Sequence, residues 1–213
     1  VSGYQDQDYF EPGAARKVDP FIAYGIAAAE QAMQSSGLAQ MANKQPHRMG
    51  VAIGSGIGGL SSIEDNFLRS QSRGVNKISP HFIPATIINM VAGHVSMRHN
   101  FQGPNISVVT ACATGTHNIG LAYQAIATGA ADVMLAGGAE YASVMLGLSG
   151  FSAMKALSSS EDPKTASRPF DVTRNGFVLS DGAGVVALES YAHAKARGAP
   201  ILAELVGFGM TAD

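Results

Sequence analysis

Apolar side chains recur at Ile22, Ile26, Ala29 and Met33, three or four positions apart, and so share one face of a helix. Asp19 and Pro20 stand ahead of them as a capping side chain and a proline at the first helical position. Gly37 follows as a C-terminal cap, so a helix is predicted between Pro20 and Gly37. Residues 1–17 are polar and irregular. The apolar run Met49 to Ile53 predicts a short buried strand that ends in Gly54-Ser55-Gly56-Ile57-Gly58-Gly59, with a helix from about Leu60 to Ser72. Lys77 to Pro84, broken by Pro80 and Pro84, predicts an ordered loop before a second apolar helix from Ala85 to Met97.

Next comes the clearest unit. Ile106 to Ala111 is β-branched and apolar, Gly115 to Thr128 places Ile119, Ala122 and Ile126 on one helical side, and Asp132 to Ala136 is again strand-like. Strand, helix and strand in that order form a βαβ unit, which requires parallel strands. Downstream, Phe177–Leu179 and Val185–Leu188 flank the turn-rich Ser180-Asp181-Gly182-Ala183-Gly184 and predict a hairpin. A helix from Tyr191 to Arg197 should stop at Gly198, and Ile201 to Val206 reads as a last strand. The fold class is therefore α/β. A start at Val1 on a polar stretch, and an end at Asp213 just beyond a strand, are expected of a segment cut from a longer protein.

Composition narrows the function classes. With 213 residues and 46% hydrophobic, the chain can bury one sizeable core, and 14% charged residues exclude disorder as its main character. A net charge of −2 supplies no overall positive field for nucleic acid. One cysteine builds no disulfide framework, and neither a signal peptide nor an apolar run of membrane length is visible, so the expected location is the cytoplasm, with no membrane association.

Gly54, Gly56 and Gly59 satisfy the spacing of a dinucleotide fingerprint after a strand and before a helix. That fingerprint also needs a second strand ending in an acidic residue about twenty positions on. The sequence there is Gly74-Val75-Asn76-Lys77-Ile78-Ser79-Pro80, without strand or carboxylate. The glycines are better read as allowing tight turning and close backbone approach, and no cofactor is expected.

Cys112, the only cysteine, lies in Thr110-Ala111-Cys112-Ala113-Thr114-Gly115, where a buried strand gives way to a helix. A thiol at such a junction faces the unpaired N–H groups and positive dipole end of the helix, which favour the nucleophilic thiolate. The small neighbours Ala111, Ala113 and Gly115 leave room for a thioester. From the residues alone, a second reading stands beside this one: a buried cysteine acting as a small hydrophobe.

The segment from Thr110 through Thr116-His117-Asn118-Ile119-Gly120 resembles the active-site segment of the condensing enzymes of fatty-acid synthesis, the type II β-ketoacyl-acyl carrier protein synthases. Met90-Val91-Ala92-Gly93-His94, Ala136-Gly137-Gly138-Ala139-Glu140, Ser167-Arg168-Pro169-Phe170-Asp171, Asn175-Gly176-Phe177-Val178-Leu179 and Ala203-Glu204-Leu205-Val206-Gly207-Phe208-Gly209 resemble the same family in the same order. The resemblance implies a thiolase-type fold, layered α-β-α-β-α in two similar halves, usually as a homodimer. Residues 1–213 match most of the first half without its opening strand, a partial N-terminal ketoacyl-synthase domain whose C-terminal half is absent.

The resemblance further implies that Cys112 accepts an acyl group from acyl carrier protein. Decarboxylated malonyl-acyl carrier protein then condenses with it, a covalent mechanism that needs oxyanion donors. Cys112 N–H is implied as one of them. Two histidines, a lysine and a gating phenylalanine belong to the second half, so His47, His81, His94, His99, His117 and His193 are taken as structural or surface residues and the chain alone as inactive. Ile57, Phe82 (reaching in from a neighbouring subunit), Ala111 and Phe151 are implied around the acyl chain, although ordinary core positions look the same in sequence. Arg16, Lys17, Lys77 and Lys155 match positions implied to meet the acidic carrier protein, the alternative being scattered solvated charges. Other readings are a polyketide ketosynthase or thiolase, and a non-catalytic fragment or partner subunit.

Overall fold

The structure, a computed structural model, describes residues 1–41 and 44–212. Helix α1 (Pro20–Ser36) leads to strand β1 (Met49–Gly54), then to α2 (Leu60–Arg73), α3 (Phe82–Thr86) and α4 (Met90–His99). Strand β2 (Asn105–Ile106), helix α5 (Thr114–Ala127) and strand β3 (Val133–Glu140) follow. The rest comprises α6 (Met145–Ala153), α7 (Pro163–Ala166), strand β4 (Gly182–Glu189) and α8 (Tyr191–Ala196).

The four strands lie in the order β2-β1-β3-β4. The first three are parallel, with Val51 opposite Asn105 and Val51 also opposite Leu135, whereas β4 runs antiparallel to β3, pairing Val133 with Glu189 and Glu140 with Gly182. The period-2 alternation of β1 and β3 divides the core in two. Met49, Val51, Ile53, Val133 and Leu135 pack with α1 and α4 on one face; Ala52, Met134 and Ala136 pack with α5 on the other. A fully buried Leu135 is worth about 1.5–3 kcal/mol relative to an exposed one. Helices on both faces of a mostly parallel sheet are the α/β layering foreseen.

Local signals set the ends of α1. The Asp19 carboxylate accepts Phe21 N at 3.3 Å, Pro20 occupies the first turn, and Gly37 closes the helix at a left-handed φ of 71°. The same fully buried carboxylate also accepts Ser61 Oγ at 2.9 Å and Ser62 N at 2.8 Å, so one residue caps α1 and binds the first turn of α2. At the other end of the sheet, Arg197 clasps Glu189 through two 2.7 Å hydrogen bonds and donates to Ser36 O at 2.9 Å, tying β4 to α1.

Four expectations need correction. The strand foreseen over Ile106–Ala111 pairs only at Asn105 and Ile106, because beyond them side chains of α5 serve the backbone: Asn118 bonds Val108, and Thr114 Oγ1 accepts Thr110 N at 2.8 Å. The predicted hairpin is absent: β4 takes β3 as its partner, while Phe177 forms a single parallel bridge with Leu157. The apolar helix predicted over Ala85–Met97 is two helices, α3 and α4, and α3 ends where Thr86 O accepts Gly59 N at 3.1 Å. Residues 201–206 hold no strand; downstream of them, Phe208 stacks edge-on to His117 at 6.0 Å.

Candidate active site

Strand β2 and helix α5 are joined by a turn held from both sides. Asn118, fully buried, accepts Val108 N at 3.2 Å and donates to Val108 O at 3.1 Å and Thr114 O at 2.8 Å. Ala113 N closes the turn on Thr110 O at 3.0 Å. Within it Ala111 adopts φ 50°, a left-handed conformation that costs a non-glycine residue about 1–3 kcal/mol and persists only where its surroundings enforce it. The turn lifts the next residue, Cys112, to the surface, where it is exposed. Within this chain the thiol is therefore open rather than packed as a small hydrophobe.

Cys112 opens on a cavity of about 610 Å³. One wall is the glycine-rich loop after β1, with Gly54, Ser55, Gly56 and Ile57; others are Ala111 and Gly115, the end of β3 at Gly138–Glu140, the start of β4 at Gly182–Gly184, and Phe151, Phe177 and Leu179. Phe151 and Phe177 meet edge to face with centroids 5.2 Å apart. The wall around the thiol is thus mostly apolar, built of glycines and alanines with Ile57, Leu179, Phe151 and Phe177, and suited to an alkyl chain.

Of the residues named from sequence, the structure brings Cys112, Ile57, Ala111 and Phe151 together on this cavity. Phe82, half-buried at the start of α3, does not line it in the single chain. Arg16 and Lys17 are exposed in the turn before α1, Lys77 is exposed after α2, and Lys155 is exposed at φ 55° just after α6, the helix that carries Phe151.

Sequence reasoning missed Glu140. Its carboxylate, at the end of β3, accepts Ser55 Oγ at 2.7 Å, Gly56 N at 2.8 Å and Ile57 N at 3.1 Å, and Ser55 Oγ in turn accepts Gly58 N at 2.9 Å. The amides that a dinucleotide phosphate would require are therefore serving a carboxylate of the chain itself. Gly56 has no space for a side chain: a Cβ there would lie 2.9 Å from Glu140 Oε2 and 3.2 Å from Ala111 O. A lone acidic residue closing the apolar run Val133–Ala139 was the available signal.

None of the six histidines lines the cavity. Burial, and then the Arg98 charge, hold His94 below the ordinary imidazole range. His99 is also held low, chiefly by burial, with Glu30 opposing and Arg98 assisting. Among the described residues no group of His, Cys, Asp and Glu is placed to hold a metal ion, and no helix is long and apolar enough to cross a membrane.

A mostly parallel sheet covered by helices on both faces in this order has counterparts of known structure. A β-ketoacyl synthase from Burkholderia phymatum superposes over 94% of this chain and 49% of its own, with a TM-score of 0.84 and 32% identity. A ketosynthase solved in complex with its type II polyketide acyl carrier protein, bound to the hexaketide, covers 93% of this chain and 55% of its own at a TM-score of 0.77 and 28% identity. The class is thus that of the ketosynthases, with their thiolase-type fold. Residues 4–194 match the N-terminal domain of β-ketoacyl synthases, and the chain belongs to that family.

Among curated relatives, 3-oxoacyl-[acyl-carrier-protein] synthase 2 of Vibrio cholerae is 55% identical over 100% of this chain and 51% of its own length. The Rhizobium meliloti protein of the same name is 50% identical over 99% and 50%, and the mitochondrial synthase of Arabidopsis thaliana 46% identical over 93% and 44%. The chain spans about half the length of the curated relatives it matches.

Proposed function

We propose that this chain is the nucleophile-bearing half of a type II β-ketoacyl-acyl carrier protein synthase that elongates fatty acids, with Cys112 as the acyl acceptor. The observation that carries the reading is the exposure of Cys112 on an apolar cavity, at a turn enforced by Asn118 and strained at Ala111. The thiolate attacks the thioester carbonyl of acyl-carrier protein, and the tetrahedral adduct expels the carrier thiolate and leaves an acyl-Cys112 thioester. Malonyl-carrier protein then loses CO2, and its carbanion displaces Cys112 to give β-ketoacyl-carrier protein. The thiolate is thereby returned.

This chain supplies the nucleophile, the wall for the alkyl chain (Ile57, Ala111, Phe151) and one backbone donor at Cys112. The remaining donors to the oxyanion and enolate come from the histidines implied for the other half of the enzyme. Phe82 completes the neighbouring subunit's tunnel in a homodimer, and Arg16, Lys17, Lys77 and Lys155 meet the acidic carrier protein. The enzyme works in the cytoplasm.

The test uses the full-length protein. Incubation with acyl-carrier protein should raise its intact mass by one acyl group, located on the Cys112 peptide, and Cys112→Ala should abolish both the adduct and condensation. Full condensing activity in Cys112→Ala would overturn the proposal.

A further inference from the structure

We infer that Glu140 is a positioning residue that sets acyl-chain selection by clamping the glycine-rich loop in the one conformation that places Ile57 against the cavity beside Cys112. The inference rests on the acyl-transfer reading of that cavity and extends it to a residue that does not touch the reacting atoms.

The argument begins with the loop. Residues 54–59 contain four glycines, and so many glycines leave a loop without an intrinsic preferred shape. Ile57 is the sole large apolar side chain in it, is 39% exposed, and lies on the cavity wall. Its position is therefore decided by whatever fixes the loop backbone. Three of the fixing bonds converge on one carboxylate: Ser55 Oγ, Gly56 N and Ile57 N all donate to Glu140, which belongs to the rigid end of β3. The amide of Ile57 itself is one of the donors, so the clamp acts on the residue that shapes the wall.

The clamp also reaches the nucleophile turn. Gly56 is confined between the Glu140 carboxylate and Ala111 O, the carbonyl immediately ahead of Cys112. Removing the carboxylate leaves two amides and a hydroxyl on the cavity wall without their acceptor; the loop must turn them toward water, and Ile57 leaves its place. A wall that no longer has a fixed end discriminates poorly between short and long acyl chains.

Glutamine can keep the clamp. Its amide oxygen can accept both loop amides and its NH2 can donate to Ser55 Oγ, without the negative charge. The experiment compares wild type, Glu140→Ala and Glu140→Gln in the full-length protein. It measures kcat/KM for acyl transfer from carrier-protein thioesters of short, medium and long chains, the rate of Cys112 alkylation by iodoacetamide, and the melting temperature.

We expect Glu140→Ala to reduce the ratio between the best and worst chain lengths at least five-fold while alkylation of Cys112 stays within two-fold, and Glu140→Gln to retain most of the discrimination. An unchanged profile in Glu140→Ala would overturn the inference. So would a uniform fall at all chain lengths that tracks lost alkylation, which marks a merely structural role. A Glu140→Gln protein as indiscriminate as Glu140→Ala would overturn it in favour of a requirement for the charge. Wild type that accepts no acyl group at all would instead remove the acyl-transfer reading, and the inference with it.

Discussion

Asn118 and Val108 are locked face to face: the side-chain oxygen of the one accepts the amide of the other at 3.2 Å, and its nitrogen donates to the carbonyl of the same residue at 3.1 Å. This pair substitutes for a strand neighbour. It ends β2 at Ile106, five residues short of the expected end at Ala111, and fixes the start of the turn that presents Cys112. Replacing Asn118 with Ala should leave the Val108 amide and carbonyl and the Thr114 carbonyl without this partner, at about 1–3 kcal/mol for each group that stays buried. A lower urea midpoint together with an altered rate of iodoacetamide alkylation at Cys112 is expected in the full-length protein; a variant that changes neither would contradict the assignment.

Ala111 gives a second handle on the same turn. At φ 50° a β-branched side chain collides with its own backbone, so Ala111→Val should destabilise by about 1–3 kcal/mol. Ala111→Gly removes the conformational penalty and should melt no more than a few degrees away from wild type. Calorimetry on the two variants checks the sign, and Val behaving like Gly would mean that the turn relaxes.

The β3–β4 pairing leaves no space at Gly137, where a Cβ would stand 1.9 Å from Gly184 O. Gly137→Ala must therefore push the two strands apart along the register that joins Gly137 to Val185. We expect loss of soluble full-length protein or a fall in melting temperature beyond that of Ala111→Val. A soluble variant with unchanged melting would show that the strands are less close.

Stability should depend on pH through the imidazoles of α4. His94 and His99 are both held below the ordinary value of 6.5, His94 by burial and Arg98, His99 by burial against the pull of Glu30. Below 6.5 the unfolded chain takes up protons that the folded chain still refuses, so the stabilisation is complete above that pH and is lost as pH falls through the lower folded values. The melting temperature of the full-length protein should fall between pH 7 and 5, and His94→Gln should lessen that slope. An identical slope in the variant would exclude His94.

Sequence legibility followed the range of the interactions. Asp19, Pro20 and Gly37 act within a turn of their own helix, so the extent of α1 could be read directly. The strand-to-helix setting of Cys112 was legible for the same reason, helped by family resemblance. Glu140 was not, because its meaning lies in a loop 85 positions away. The hairpin expectation failed similarly: the continuous apolar run Val185–Leu188 says that it is a strand, and says nothing of whether its neighbour is Phe177–Leu179 or β3. Ile201–Val206 has strand-like composition, but residues with that composition form a ladder only where another backbone lies alongside.

The antiparallel return of β4 also dictates when the thiol acquires its surroundings. Gly182, Ala183 and Gly184 face the cavity only after β4 has docked on β3, and β4 is made long after Cys112 during synthesis. Until then Cys112 stands without the part of its wall that Gly182–Gly184 supply, although the glycine-rich loop and Glu140, which line the cavity with it, are already made.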